Sequence, residues 1–288
     1  MLVAVVGHVE FVEFLQVSHV PVAGEILHTQ GTFAEPAGGG GVAAVQLARL
    51  AGAATLFTAL GDDALGRQAA EALENRGVRV HAAWRETPQR RAVTFVDDDG
   101  ERTITVIGER AQPVGADALP WEELADCDAV FVTAGDPAAL RAARLARVLV
   151  ATPRVGPSLA HSGVELDALV LSARDPGERY DPGDVQPAPR LVVATAGAAG
   201  GAYTDSEGRH GTWRAAPLPG PLVDTYGAGD SFAAGLTFGL GAGLDLDDAL
   251  ELAASCGAAC VTGAGPYGAP LDTGAIAALL HRRSGAGQ

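Results

Sequence analysis

DTYGAGDSFAAGLTFGL, residues 224–240, places three small residues, Gly227, Ala228 and Gly229, directly before the carboxylate of Asp230 and then runs into an apolar stripe. Phe232, Leu236 and Leu240 recur at helical spacing with small residues between them, which predicts a helix from Ser231 onward. Unpaired N–H groups and the positive end of the dipole make a helix start an anion site, and the absence of bulky side chains lets an anion come close. A carboxylate at the same point can take a proton from a hydroxyl presented to it. Together they suit in-line phosphoryl transfer to an alcohol, where catalysis is largely positioning and charge stabilisation. The plainer reading of the same letters is a tight glycine turn with Asp230 as a helix N-cap.

The rest of the chain bounds that reading. Its 288 residues, 48% of them hydrophobic, allow one large α/β domain with a sizeable core. Seven consecutive apolar and small residues open the chain without a basic lead, so MLVAVVG reads as a buried strand and not as a signal peptide. No apolar stretch approaches the length of a membrane span. A formal net charge of −15 disfavours nucleic acid and acidic membranes and favours a small-molecule role. Cys127, Cys256 and Cys260 are too few for a disulfide framework; Cys256 and Cys260 share a helix face, a metal or redox pair in one reading and core thiols in the plainer one. This usage fits a reducing cytoplasm. The chain has no lysine, which excludes a Walker A loop, a Schiff-base lysine and the protein-kinase lysine.

Strand-like runs at 2–7, 54–60, 128–135, 147–152, 167–172 and 190–195 alternate with helical ones at 41–52, 65–77 and 137–147. Near-continuous apolar strands between helices indicate a predominantly parallel, Rossmann-like sheet with helices on both faces. RRAVTFVDDDGERTITVI (90–107) breaks the rhythm with two alternating strands about Asp99-Gly100, in which Val93 and Phe95 share one face and Ile104 and Val106 share another. EILHTQGTFAEP (25–36) reads as a second pair of short strands. The expectation is a single domain over 1–288 with a small β lid formed by about 12–36 and 80–108; a surface hairpin at a sheet edge is the other reading. Residues 173–190, rich in Pro, Gly and charge, form a loop after a strand end, where α/β folds usually keep ligands.

Asp224-Thr225 followed by Gly227-Ala228-Gly229-Asp230 resembles the C-terminal signature of the ribokinase-like (PfkB) family of carbohydrate kinases. Gly38 to Gly41, opening a helix, resembles the family's N-terminal glycine signature, and Gly61-Asp62-Asp63 with Gly66 resembles its next element. Thr195, Gly197 and Gly200 resemble its T-x-G-x-x-G nucleotide loop. The resemblance spans nearly the whole chain. It implies an ATP-dependent kinase with Mg²⁺, in which Asp230 deprotonates the acceptor and Gly227, Ala228 and Gly229 offer N–H groups to the transferring phosphate. Thr195, Gly197, Gly200, Asp224 and Thr225 then lie along the nucleotide, with Asp224 helping to hold a cation. The loop with Gly263 and Gly265 borders the adenine or a monovalent-cation (K⁺) site. Gly38, Gly39, Gly40 and Ala43 fall where the family contacts its acceptor. The lid hairpins offer a route to a homodimer, since a one-sided ribbon needs cover.

The departures concern the acceptor. Val12 stands where the family carries a sugar-gripping Asp, Ala43 where it carries an Asn, and Gly135, with Asp136 beside it, where another carboxylate is expected. Glu10, His8 and Glu13 are the replacement candidates; Glu10 either holds a polar group of the acceptor or is a solvated strand-end acid. The metal-ordering N-x-x-E element becomes Ser172 and Asp175, able to serve through water. Two other functions compete. Gly39, Gly41 and Ala44 fit a dinucleotide fingerprint, but they lie far from the first strand. A catalytically weak nucleotide- or metabolite-binding protein of the same fold also fits the altered positions.

Overall fold

The computed structural model describes residues 1–272 and residue 274. Strands β1 (Val3–Val6), β4 (Ala54–Gly61), β5 (Val78–Arg85), β8 (Ala129–Val132), β9 (Val148–Ala151), β10 (Ala168–Ser172) and β11 (Leu191–Thr195) pair in parallel. They form one sheet in the order β11-β10-β9-β8-β1-β4-β5, extended past β11 by the antiparallel hairpin β12 (Gly201–Asp205) and β13 (His210–Trp213). That hairpin carries too little apolar alternation to stand out in the sequence; it is half-exposed along its length.

Strands β1, β8 and β9 are apolar and buried at every position because both sheet faces are covered there, and their alternation of two residues appears only in the packing. Val3, Val5, Phe131, Val150 and Val170 join a core with helices α1 (Gly38–Ala51), α2 (Ala64–Glu74), α5 (Ala228–Gly241) and α6 (Leu246–Cys260). Ala4, Val6, Val130, Val132, Leu149 and Leu169 join a second core, with α3 (Pro137–Ala143) and α4 (Pro157–Ser162). Helix α5 lies close against α6: a Cβ on Gly235 would stand 2.8 Å from the Ala253 Cα, and one on Gly239 would stand 2.9 Å from that of Ala249. This contact fixes the axis along which Asp230 is presented. The three cysteines are buried free thiols; Cys256 and Cys260 pack in this α5–α6 region, as the core-thiol reading expects.

A second sheet of four strands, in the order β3-β2-β6-β7, forms the lid. Its strands are β2 (Glu10–Gln16), β3 (Gly31–Ala37), β6 (Arg91–Val96) and β7 (Arg102–Ile107). It differs in detail from the sequence reading. Residues 80–85 belong to β5 and hydrogen-bond along β4 in the large sheet. Residues 25–36 do not make a pair of strands; β3 alone pairs with β2, a strand the sequence reading placed partly in the lid region without naming it. The face of β6 that turns inward is not the one that holds Val93 and Phe95, while Ile104 and Val106 of β7 pair with Thr94 and Ala92 on the inward face. Ala92, Thr94 and Val96 are buried, opposite Val12, Phe14 and Gln16, while Val93 and Phe95 face outward half-exposed. Both faces of this ribbon carry apolar residues, so alternation alone could not say which turned inward.

Candidate active site

Helix α5 begins at Ala228, three residues before the expected start, and this changes what Asp230 can do. The N-cap is Gly227, in the left-handed conformation at φ 80° that favours glycine, and no side chain caps the helix. Ser231 N–H already bonds the Gly227 carbonyl, leaving the N–H groups of Ala228, Gly229 and Asp230 at the free end of the dipole. Gly229 has open space where a side chain would be. Asp230 therefore sits within the first turn, and its carboxylate is not spent as a cap.

That carboxylate lies against the start of α1. A Cβ on Gly39 would come within 2.9 Å of Asp230 Oδ1, so two helix N-termini converge on one acid. Gly40 closes the same junction, its N–H bonding the His8 carbonyl at 3.1 Å where the chain leaves β1. Gly38 N–H donates to the Tyr226 hydroxyl, which in turn donates to Glu10 Oε1 at 3.4 Å. Burial pushes Asp230 up to about 6; the negative charge of Glu178 adds to this, Arg154 and Arg102 oppose it, and Glu10 contributes a little.

Two backbone loops hold this arrangement. Asp224 is buried and accepts N–H bonds from Tyr226 at 2.8 Å and Gly265 at 3.0 Å, tying the loop before α5 to the loop after α6 that carries Gly263. Its burial raises its pKa, while those two bonds favour the carboxylate. Thr225 meets the lid: its hydroxyl bonds the Gly100 carbonyl in the β6–β7 turn, and Arg102 reaches its Oγ1 at 3.1 Å. At the far side, Thr195 ends β11, and Gly197 and Gly200, both left-handed, shape the turn into β12. Gly200 packs on the Trp213 backbone, beside a cavity of about 630 Å³ between residues 213–219 and α6, lined by Trp213, Pro217, Leu250, Ala254 and Ala259. Gly257, on the same face of α6 as the cavity-lining Leu250 and Ala254, packs on the Ala228 carbonyl at the start of α5.

The remaining sequence candidates fall differently. Glu10 is no solvated strand-end acid; it is 7% exposed and paired with Arg90 Nε at 3.0 Å. Ala43 is fully buried in the main core, and Val12 packs among Phe14, Val42 and Tyr226 at the base of the lid. Gly135 sits on Ala139, and Asp136 is committed as the N-cap of α3, bonding Ala139 N–H and Gly115 N–H at 2.8 Å each. Glu13 is exposed. Asp175 is paired with Arg154 and caps a short turn through Gly177 N–H. The acid whose charge bears most on Asp230 is Glu178, which accepts the Ser172 N–H at 2.6 Å and Arg154 Nε at 2.6 Å. Sequence reasoning passed over Glu178 because it lies six residues beyond Ser172, in an irregular loop. It also missed the arginines. Arg90, Arg102, Arg110 and Arg154 come from four separate loops and strand ends, and no spacing links them.

The order of parts is thus cavity, glycine turn, free helix N-terminus, uncapped acid and lid. A family model described as pfkB family carbohydrate kinase matches residues 1–156 and 183–273. The chain belongs to the pfkB family of carbohydrate kinases. Within that family it is similar to an ATP-dependent ribose-1-phosphate kinase of Halopiger xanaduensis, with 31% identity over 96% of this chain and 97% of the relative. A microbiome-derived acarbose kinase shares the fold at a TM-score of 0.81 and 24% identity, over 98% of this chain and 99% of the other. The ribokinase of Thermotoga maritima does so at 0.76 and 19%, over 97% and 99%. As a pfkB-family member the protein is a carbohydrate kinase, and its family implies the use of ATP.

Proposed function

We propose that this kinase transfers the γ-phosphate of ATP to a hydroxyl of a small sugar, with Asp230 as general base and the N–H groups at Gly227–Gly229 receiving the phosphoryl group. The observation that carries this reading is the uncapped Asp230 carboxylate in the first turn of α5, wedged against Gly39 with a pKa of about 6. A base needs a lone pair that no structural bond consumes and an affinity for protons well above that of an exposed carboxylate. Asp230 has both. A protein that only bound nucleotide would need neither.

The adenine side of ATP belongs in the cavity beside Trp213, and the phosphates pass the Thr195–Gly200 turn toward the free end of α5. Thr225 and Asp224 brace that path from below, and the Gly263–Gly265 loop borders it. The acceptor enters between Gly38–Gly40 and the lid, where Glu10 is buried. Among the described residues no three His, Cys, Asp or Glu side chains gather into a metal-binding group. Mg²⁺ keeps several waters and would arrive on the nucleotide, with Glu178 the acid placed to meet it through water beside Ser172. When bound it supplies neutralisation of phosphate charge. Lid strand β7 is exposed along its whole length, and we assign it the role of pairing with a second copy.

The test is ADP release from ATP and Mg²⁺ against free sugars and sugar phosphates, including ribose 1-phosphate, the compound for which the haloarchaeal relative is named. Acceptor-dependent release that disappears in Asp230→Asn supports the proposal; unchanged turnover in that variant refutes it.

A further inference from the structure

Three guanidinium groups gather around one buried histidine between the lid and the large sheet. Arg90 lies just before β6, Arg110 follows β7 and Arg154 follows β9. All three charges act on His8, which leaves the end of β1 and is 8% exposed. Arg110 donates from both terminal nitrogens to the Arg154 carbonyl at 3.3 Å, which holds the two side by side. The protein's net charge is −15, so such a gathering runs against the background.

The charges are unevenly balanced. Arg90 is answered by Glu10 at 3.0 Å, and Arg154 by Glu178 at 2.6 Å and by Asp175. Arg110 makes no ion pair with any described residue, although it is partly buried. Burial and the like charges of Arg90 and Arg154 act against its ionised form, and against them stands only the charge of Glu10, which is already paired with Arg90. An arginine held under those conditions needs an anion, because the guanidinium does not lose its proton. His8 points the same way. Its Nδ1 is buried without a hydrogen-bond partner, and burial with the three arginines keeps the ring neutral, down to about 3. A neutral imidazole offers one N–H to an anion without adding charge.

We infer that Arg110, flanked by Arg90 and Arg154 and backed by His8 Nδ1, binds an anionic substituent already present on the acceptor, so that the substrate class is a sugar phosphate. This rests on the kinase reading above. A neutral sugar leaves Arg110 without an ion pair of its own, whereas a phosphate takes two parallel N–H bonds from one guanidinium. The cluster also lies on the acceptor side. His8 stands at β1 and the Thr195–Gly200 turn at β11, four strand spacings away, or about 19 Å. Arg90 and Glu10 enter from the lid, in the same row of its inner face as the buried positions Ala92 and Val12. Phosphate at one end of the acceptor and Asp230 at the other would orient the reacting hydroxyl, in place of the carboxylate and amide grips that Val12 and Ala43 lack.

The experiment compares sugar phosphates with the matching free sugars at saturating ATP and Mg²⁺, in the wild type, Arg110→Ala and Arg110→Lys. The wild type should favour ribose 1-phosphate or another phosphorylated sugar over its free counterpart by about 100-fold in kcat/KM. Arg110→Ala should lower that value about 10–100-fold, mainly through KM for the acceptor, with KM for ATP within about twofold and part of the loss restored by lysine. Inorganic phosphate should inhibit the wild type competitively against the acceptor and not against ATP, a readout independent of the variants' folding. Free sugars used as well as their phosphates would overturn the inference while leaving the kinase reading intact. A raised KM for ATP in Arg110→Ala would overturn it by assigning the arginines to the nucleotide. Absence of ADP release with every acceptor would defeat the kinase reading and this inference together.

Discussion

Acidification from about pH 7 to pH 5 should titrate Asp230 in the free kinase. With a midpoint of about 6, roughly nine tenths of the population carries the carboxylate at pH 7 and one tenth at pH 5. Because kcat/KM reports groups of the free enzyme, it should fall about tenfold across that window, with unit slope below the midpoint. Asp230→Asn should lie about 10²–10⁴-fold below the wild type at pH 7 and lose the slope. The same burial has a stability consequence of known sign. Between 3.8 and about 6 the folded protein holds more protons than the unfolded chain, so this group's contribution to stability is lost as pH rises through that window. The cost reaches at most about 3 kcal/mol above pH 6, at 1.36 kcal/mol per unit. Asp230→Asn should therefore melt a few degrees higher than the wild type at pH 8 and gain little at pH 4. Initial-rate assays and thermal melts over the same buffers would decide the matter. A flat wild-type profile from pH 5 to 7, together with a variant no more stable at pH 8, would refute the placement of a buried, unspent base at this position.

Gly39→Ala should leave the fold in place and push Asp230 out of register, because its new Cβ would meet a movable carboxylate oxygen at 2.9 Å; kcat should fall at least about tenfold with little change in melting temperature. Asp224→Asn keeps one acceptor oxygen where two are used, so either Tyr226 or Gly265 loses its partner; denaturant unfolding should show about 1–3 kcal/mol of lost stability. Arg102→Ala removes one of the links between the lid and Thr225, leaving the bonds of Thr225 to the Gly100 carbonyl, and hydrogen exchange in residues 97–106 should rise, with a higher KM for substrate. Light scattering should give about twice the 29.1 kDa chain mass if β7 pairs between copies, and Val106→Glu should return it to the single-chain value; a wild-type monomer would reject the lid as the interface.

Much of this kinase was legible along the chain because its chemistry is built from neighbours in sequence. The residues that shape the anion site, Gly227 to Asp230, are consecutive, and a helix start is a local event set by a left-handed glycine and the apolar stripe that follows. The parallel strands were legible for a similar reason: β1, β8 and β9 are buried on both faces, so each is an unbroken apolar run whatever it packs against. What stayed hidden were properties of assemblies. The inward face of β6 depends on which side the large sheet occupies, and with Val93 and Phe95 on one face and Ala92 and Val96 on the other the letters did not decide it. The role of Asp136 as a cap and the pairing of Asp175 with Arg154 depend on partners brought in by folding. The arginine cluster is the fullest case. Residues 90, 110 and 154 carry no common motif, and a charge becomes costly, and so informative, only when tertiary structure removes its water and places like charges beside it. The helix start that the kinase proposal rests on is thus a matter of local backbone geometry, written into consecutive residues, while the burial of the arginine cluster is decided only by the packed lid and sheet.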